Sequence, residues 1–548
     1  MNPAISDDAF KPRFTRTKTG CLRCRKGKHK CDEEKPVCRR CQHAKGQCVY
    51  PPPPTPKQKI VTIKRPRYSF TEDSNRFEEL DENGRVRHRP PNRGNGESSG
   101  TPFSISMAPT DPLIMTFPDP QERELMKHLL CFGTVMMYAI PIDDKPVQFL
   151  DITQCLQHPR GSSFESDAQL LSLISIAAIH QSSIYMQQEK RYLTSSPVGR
   201  WGTPSILYVS PTSENQQRMR AIGDHCSNAS LELCKAAIAL KMRKDQRVNL
   251  ETLDMLLSST VSVVISRSLA GDANWKVAFE VALKVIELRG GPAKMLEDAN
   301  AESKSALLRV RTLLENLVVM DVCHCLASGS APSLMFEPFA PWWFDYSSES
   351  SSPDETDTVH TAYGMDRGMV ELMNRINMLV HENMALSALH DQSYISQHEQ
   401  KVQDLLLELE IWENNIGEEN DLTRVQVGNL ITMHSMRVVI YVDLLHYPHS
   451  DPVVQSSASS ALRILETSRD TGWVIGLLLP TVIAGSLMVD VEGRDLARKL
   501  LSGLRSTFAF SYDVEEALRM LERLYTLRDQ GAEDPSWRQA TNSGLLFL

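Results

Sequence analysis

The spacing of six cysteines constrains this chain more than any other feature. The stretch reads Cys21-x2-Cys24-x6-Cys31-x6-Cys38-x2-Cys41-x6-Cys48, so its second half repeats the intervals of its first. These six are half of the twelve cysteines in 548 residues. Two physical arrangements concentrate thiols in this way, a disulfide knot and a metal cluster. A knot needs an oxidising compartment. The other six cysteines (Cys131, Cys155, Cys226, Cys234, Cys323 and Cys325) are scattered through apolar, helical-looking sequence, as is usual in a reducing compartment. The opening MNPAISDDAFKPRF has no apolar run behind a basic region, which a secretory leader requires. The expectation is an intracellular metal cluster. Cys-x2-Cys on a turn entering a helix aims two thiolates at one point, and a third thiolate six residues on can reach the same ion. Each half offers three sulfurs, whereas tetrahedral zinc takes four. Cys21, Cys24, Cys31, Cys38, Cys41 and Cys48 complete two tetrahedra around two Zn2+ ions if one thiolate from each half serves both.

Charge points to a partner for this head. Residues 1–70 carry 18 Lys+Arg against 5 Asp+Glu, while the whole chain has a formal net charge of −8. A basic head on an acidic body suits a polyanion, most simply double-stranded DNA. Arg23, Arg25, Lys26, Lys28 and Lys30 crowd about two helical turns pinned at both ends by metal ligands. Cations so placed can neutralise phosphates, and a lysine on a helix can reach guanine O6 and N7. Pro36 fixes φ where the chain turns back between the halves.

With KTGCLRCRKGKHKCDEEKPVC, this pattern resembles the fungal binuclear zinc-cluster transcription factors. The resemblance implies that the first and fourth cysteines, Cys21 and Cys38, bridge the two ions. It also implies that the short helix after Cys24 enters the major groove, where Lys28 reads a CGG-like triplet. Lys45 takes the matching place in the second half, where a phosphate contact is implied. Gly27 stands where the family commonly has Arg or Lys, which removes one cation near the groove.

A linker follows. PPPPTP (51–56) is a stiff, extended spacer, and Lys64, Arg65 and Arg67 group as a nuclear localisation element or as further phosphate contacts. Residues 70–107 lack an apolar period and read as disordered. No sustained a/d heptad runs between residues 50 and 107, so a monomer and a homodimer held through the body both stay open. The expected organisation is a basic N-terminal arm over 1–18, a zinc-cluster DNA-binding domain over 19–50, a linker over 51–117 and an all-α domain over 118–548.

In the body, EVALKVIELRG shows a 3.6-residue apolar period ending on Gly290 and Gly291. ESDAQLLSLISIAAIH, NLETLDMLLSSTVSVVI, KVQDLLLELEIWE and VEEALRMLERLYTL read alike, and the expectation is about a dozen helices in one large α-helical domain. WVIGLLLPTVIAGSLMV (473–489) carries no charge, but Gly476, Pro480 and Gly485 interrupt it, and it reads as a buried helix pair with no membrane role. GDANWKVAFEVALKVIELRGGP, LLLPTVIAGSLMVDVEGRDLARKLL and the tail DPSWRQATNSGLLFL are similar to the regulatory domain found behind fungal zinc clusters.

A phosphate loop, a nucleophile elbow, a Gly-rich dinucleotide turn and a zinc-protease His-Glu pair are all missing from the sequence, and the expectation is a protein that is not an enzyme. His324 between Cys323 and Cys325 reads as core, because neighbours on a helix diverge by about 100°. Trp342 and Trp343, ahead of an acidic stretch, read as anchors of a long loop. The functional expectation is a nuclear, sequence-specific DNA-binding regulator of RNA polymerase II transcription. Its other partners would be the transcription machinery or co-regulators and a small-molecule effector. The alternative is an interaction or small-molecule-sensing regulator whose zinc cluster is mainly structural.

Overall fold

The computed structural model describes residues 21–26, 31, 32, 34, 35, 37–44, 47, 48, 67–71, 76–80, 112–133, 138–140, 158, 160–195, 211–243, 249–345, 357–386, 392–416, 422–468, 475–504 and 511–540. The chain divides into two units, residues 1–105 and 106–548. The first holds two one-turn helices, α1 (Leu22–Lys26) and α2 (Arg39–His43), and a hairpin of β1 (Arg67–Thr71) with β2 (Arg76–Leu80). The strands are antiparallel, with Phe70 in register opposite Phe77. Within the stretch expected to act as linker, residues 51–117, this hairpin is the described element of the first unit. The spacer over 51–56 and the N-terminal arm lie outside the described residues.

The second unit is helical, with no strand among its described residues. It opens with α3 (Pro112–Thr116), α4 (Pro120–His128) and a π-turn over Leu129–Gly133. Two long helices follow, α5 (Phe164–Ser195) and α6 (Pro211–Arg243), packed along one another. Small side chains allow that approach, and Ser175 Oγ donates to the Gly223 carbonyl (2.8 Å) while Ser230 Oγ donates to Ala168 O (2.7 Å). Against both lies α7 (Leu250–Leu269), buried without interruption from Leu253 to Leu269. A helix buried on every side is a core helix. The hydroxyls that α7 carries bond back into its own turn, as Ser259 Oγ does to Met255 O (2.7 Å) and Thr260 Oγ1 to Leu256 O (2.9 Å).

Next comes α8 (Trp275–Leu288), which buries Trp275, Phe279, Ala282 and Ile286 at the expected period. It ends in a Schellman motif, in which Gly290 N–H donates to Glu287 O (3.0 Å) and Gly291 N–H to Ile286 O (2.9 Å). Both glycines are left-handed, with φ near +90°. Pro292 then opens α9 (Pro292–Glu302), and Ser303 caps α10 (Lys304–Ser328) by accepting from Ala306 N–H. The chain continues through α11 (Pro341–Phe344), α12 (Thr358–Tyr363), α13 (Arg367–Leu386), α14 (Gln392–Ile416) and α15 (Arg424–Val439), which runs into a π-turn over Ile440–Leu444. It closes with α16 (Pro452–Thr467), α17 (Leu478–Leu487), α18 (Val491–Leu504), α19 (Ser511–Asp529) and α20 (Trp537–Ala540). The second unit thus has eighteen α-helices among its described residues, several of only one turn, where about a dozen were expected.

The uncharged stretch over 473–489 forms one described helix, α17, of ten residues, all buried. The expected helix pair is therefore a single helix, with Pro480 tolerated in its first turn. No described helix is long and apolar enough to cross a membrane. Trp343 is buried and its Nε1 donates to Arg367 O (3.1 Å), so it anchors the chain ahead of the acidic stretch, whose residues 346–356 lie outside the described set.

Candidate metal centre and nucleic-acid interface

The two halves of the head use the same local bonds. Cys21 Sγ accepts from Cys24 N–H (3.5 Å) and Cys38 Sγ accepts from Cys41 N–H (3.4 Å), so each half's first thiol caps its own short helix. Cys21 N–H meets Cys31 Sγ (3.5 Å), and Cys38 N–H meets Cys48 Sγ (3.4 Å). The helices pack on each other, and five of the six cysteines are buried, Cys48 being half-buried. Helix α1 starts directly after Cys21 and contains Cys24, one turn earlier than the sequence implied.

No disulfide joins any of the six. The separations are 3.8 Å for Cys21–Cys38, 3.7 Å for Cys21–Cys41 and 3.8 Å for Cys24–Cys38. A disulfide would bring sulfurs to about 2.05 Å. Four thiolates about 2.3 Å from one zinc ion stand about 3.8 Å apart in a tetrahedron. The spacing fits metal and not a knot. The sulfurs fall into two groups of four, Cys21, Cys24, Cys31 and Cys38, and Cys21, Cys38, Cys41 and Cys48, each with all members within 4.8 Å.

Electrostatics divides the thiols along the same line. Burial opposes ionisation of Cys21, yet the Cys24 amide and neighbouring thiols outweigh it and lower its pKa. The Cys41 amide does the same for Cys38 against burial. Burial raises Cys24, and it pushes Cys41 up to about 12. The two members common to both groups are therefore the ones whose thiolates the fold favours.

Around the cluster, Arg23 and Lys26 project from α1 and are exposed, and no described residue forms an ion pair with either. Arg25 belongs to α1, while Gly27, Lys28, Lys30 and Lys45 lie outside the described residues. Two acids went unremarked in the sequence. Asp32 Oδ2 accepts from Arg39 N–H (3.0 Å), which satisfies the first amide of α2, and Glu34 Oε2 accepts from Arg39 Nε (2.6 Å). The signal was the Asp-Glu-Glu run directly after Cys31 in an otherwise basic head.

No second metal group is found among the described residues. Cys323 and Cys325 are buried, the Cys325 thiol donates to Ala331 O (3.4 Å), and the His324 ring stands edge-on to Trp275 at 5.1 Å. Burial lowers the His324 pKa to about 4. That trio is core.

Comparison with known families agrees with this geometry. The fungal Zn(2)-Cys(6) binuclear cluster domain matches residues 19–57, and the fungal specific transcription factor domain matches residues 155–547. The chain belongs to the fungal specific transcription factor family. Its head is accordingly a binuclear zinc cluster taking two zinc ions, and the family is one of transcription regulators, not an enzyme class. Transcription factor lfc1 of Flammulina velutipes is 49% identical over 49 residues, 9% of this chain and 17% of that one. Transcriptional regulatory protein moc3 of Schizosaccharomyces pombe is 42% identical over 69 residues, 12% and 13% of the two chains. Transcription activator AMTR1 of Alternaria alternata is 57% identical over 37 residues, 7% and 5%. The matches thus span less than a fifth of these fungal transcription factors.

Proposed function

We propose that this protein is a nuclear, sequence-specific DNA-binding regulator of RNA polymerase II transcription. Its zinc cluster presents α1 to the major groove, and its all-α body is regulatory. One ion is held by Cys21, Cys24, Cys31 and Cys38 and the other by Cys21, Cys38, Cys41 and Cys48, with Cys21 and Cys38 bridging. The observation that carries this reading is the pair of four-thiol groups sharing those two sulfurs, flanked by the exposed cations Arg23 and Lys26. When bound, zinc supplies the folding energy of a head too small to bury a core of its own. All-thiolate, four-coordinate sites leave no open position for a substrate.

On this reading Lys28 reads a CGG-like triplet, Arg23, Arg25, Lys26 and Lys30 set the register on phosphates, and Lys45 makes a phosphate contact from the second half. Arg39 is already paired with Glu34 and contributes less. The deciding experiment is selection of random duplex DNA by the zinc-loaded full-length protein, with a chelated control. Enrichment of CGG-like triplets that is lost on chelation is expected, and the number and spacing of triplets report monomer or homodimer. Failure to enrich any sequence with both zinc ions bound would overturn it.

A further inference from the structure

The body contains a cavity of about 240 Å³ between α13 and α14. Met378 and Leu379 of α13, Leu405 of α14 and Pro338 from the loop before α11 form its apolar bed. Leu379 and Leu405 are themselves core residues. Phe339, beside Pro338, sits at φ 53°, a left-handed conformation that a phenylalanine adopts only under constraint. Its N–H donates to Glu371 Oε1 (3.0 Å), and its ring lies 4.5 Å from the Arg375 guanidinium. The loop is held against the cavity edge at the expense of a strained backbone, which is a common feature of ligand clamps.

The charged groups at the rim are unevenly partnered. Arg375 is occupied by two carboxylates, Nε on Glu371 (2.9 Å) and Nη2 on Glu408 (2.7 Å). Lys401 Nζ reaches across from α14 to Glu382 at 3.5 Å. Asp404 accepts only from the neutral Gln400 amide (2.8 Å) among the described residues. His398 stands 3.7 Å from Glu382, but burial holds its pKa below the usual range, so it adds no charge near neutral pH. Of the charged side chains that line the cavity, two cations and two carboxylates, only Asp404 lacks a charged partner among the described residues.

We propose that this cavity binds a small organic cation, with its apolar body on Met378, Leu379 and Leu405 and its ammonium at Asp404 and Glu382. An anion would be repelled there, and a neutral apolar molecule would leave Asp404 unanswered. The volume is below the roughly 300–1,000 Å³ of drug-sized pockets, which limits the ligand to about one ring with a short amine arm. This site is independent of how the head reads DNA.

The test uses the zinc-loaded full-length protein and isothermal titration with 2-phenylethylamine, with 3-phenylpropanoate as the charge-reversed control. Saturable one-to-one binding of the amine, about tenfold tighter than that of the carboxylate, is expected. Asp404→Asn, an exposed and conservative change, should weaken the amine about fivefold or more and leave DNA binding unchanged. Met378→Trp should fill the cavity and abolish binding. If that variant misfolds, the Asp404→Asn and charge-reversal results decide. Equal affinity for the two probes, no saturation below millimolar amine, or an unaltered affinity in Asp404→Asn would each overturn the proposal.

Discussion

The sulfurs of Cys21 and Cys38 lie 3.8 Å apart, and each belongs to both four-thiol groups of the head. On the proposed ligand sets, loss of either one removes a ligand from both ions at once. Cys21→Ser and Cys38→Ser are each expected to lose both zinc ions and to unfold the head. Cys48→Ser, which touches one group only, should leave one ion bound. Zinc stoichiometry of the purified variants checks this, and retention of both ions in Cys21→Ser would refute bridging by that thiolate.

Arg23 and Lys26 stand exposed on α1 and no described acid holds them, whereas Arg39 is tied to Glu34 at 2.6 Å. Lys26→Ala should therefore weaken binding almost equally on all sequences and reduce the salt slope of log K by about 0.9. Lys28→Ala should cost about 1–3 kcal/mol on the preferred site and relax its sequence choice. Arg39→Ala should move the slope less than Lys26→Ala. Titrations of the full-length protein at several salt concentrations separate the three, and identical slopes would dispose of the distinction.

The cluster was legible in the sequence because metal coordination imposes fixed intervals between ligands. The helical body was legible for a different reason, since apolar residues recur at helical spacing in the stretches that became α5, α7, α8, α14 and α19. What the sequence concealed depends on contacts between distant residues. The pairing of Arg367 with Asp357 and Glu315 joins positions 10 and 52 residues apart that no local period connects. The split of 473–489 was misread because a uniformly apolar run carries no phase from which to place helix ends. Asp32 and Glu34 were overlooked because, in a head read for its cations, acids look like dilution.

That buried network yields a third prediction. Arg367 Nε donates to Asp357 Oδ2 (2.6 Å), its Nη2 donates to Glu315, its Nη1 donates to Trp343 O (3.1 Å), and its guanidinium lies 5.0 Å from the Trp343 ring. Burial pushes the Glu315 pKa up despite Arg367 and Arg311, while for Asp357 the arginine outweighs burial and lowers it. Arg367→Met leaves Asp357 without its buried cation and Glu315 with Arg311 alone (3.3 Å), and should destabilise the body by about 3–5 kcal/mol. Adding Glu315→Gln to Arg367→Met should recover part of that loss, because one under-compensated buried charge is gone. Chemical denaturation followed by far-ultraviolet circular dichroism measures both, and additive losses in the double variant would count against the network.

Asp513, in the first turn of α19, is fully buried, and neither of its oxygens has a hydrogen-bond partner among the described residues. Around it the first turn of α19 meets α5 and α6, with Ser511 accepting from Gln187, Tyr512 OH meeting Ser182 and Gln216, and the Arg220 guanidinium 5.0 Å from the Tyr512 ring. Burial alone raises its pKa well above the ordinary carboxylate value. A raised folded-state pKa means that the folded protein holds this proton after the unfolded chain has released it. The contribution of Asp513 to stability is therefore full below about pH 4 and falls as pH rises, by at most about 1.4 kcal/mol per unit until the folded carboxyl ionises. Asp513→Asn has no proton to hold. Its stability relative to the parent should be lowest near pH 4 and climb steadily toward pH 8, so the variant gains on the parent across the neutral range. Thermal melts of both proteins at four or five pH values test this directly. A difference that stays constant with pH would mean that Asp513 ionises normally, through an opening of the α5–α19 contact or through water that reaches the carboxyl.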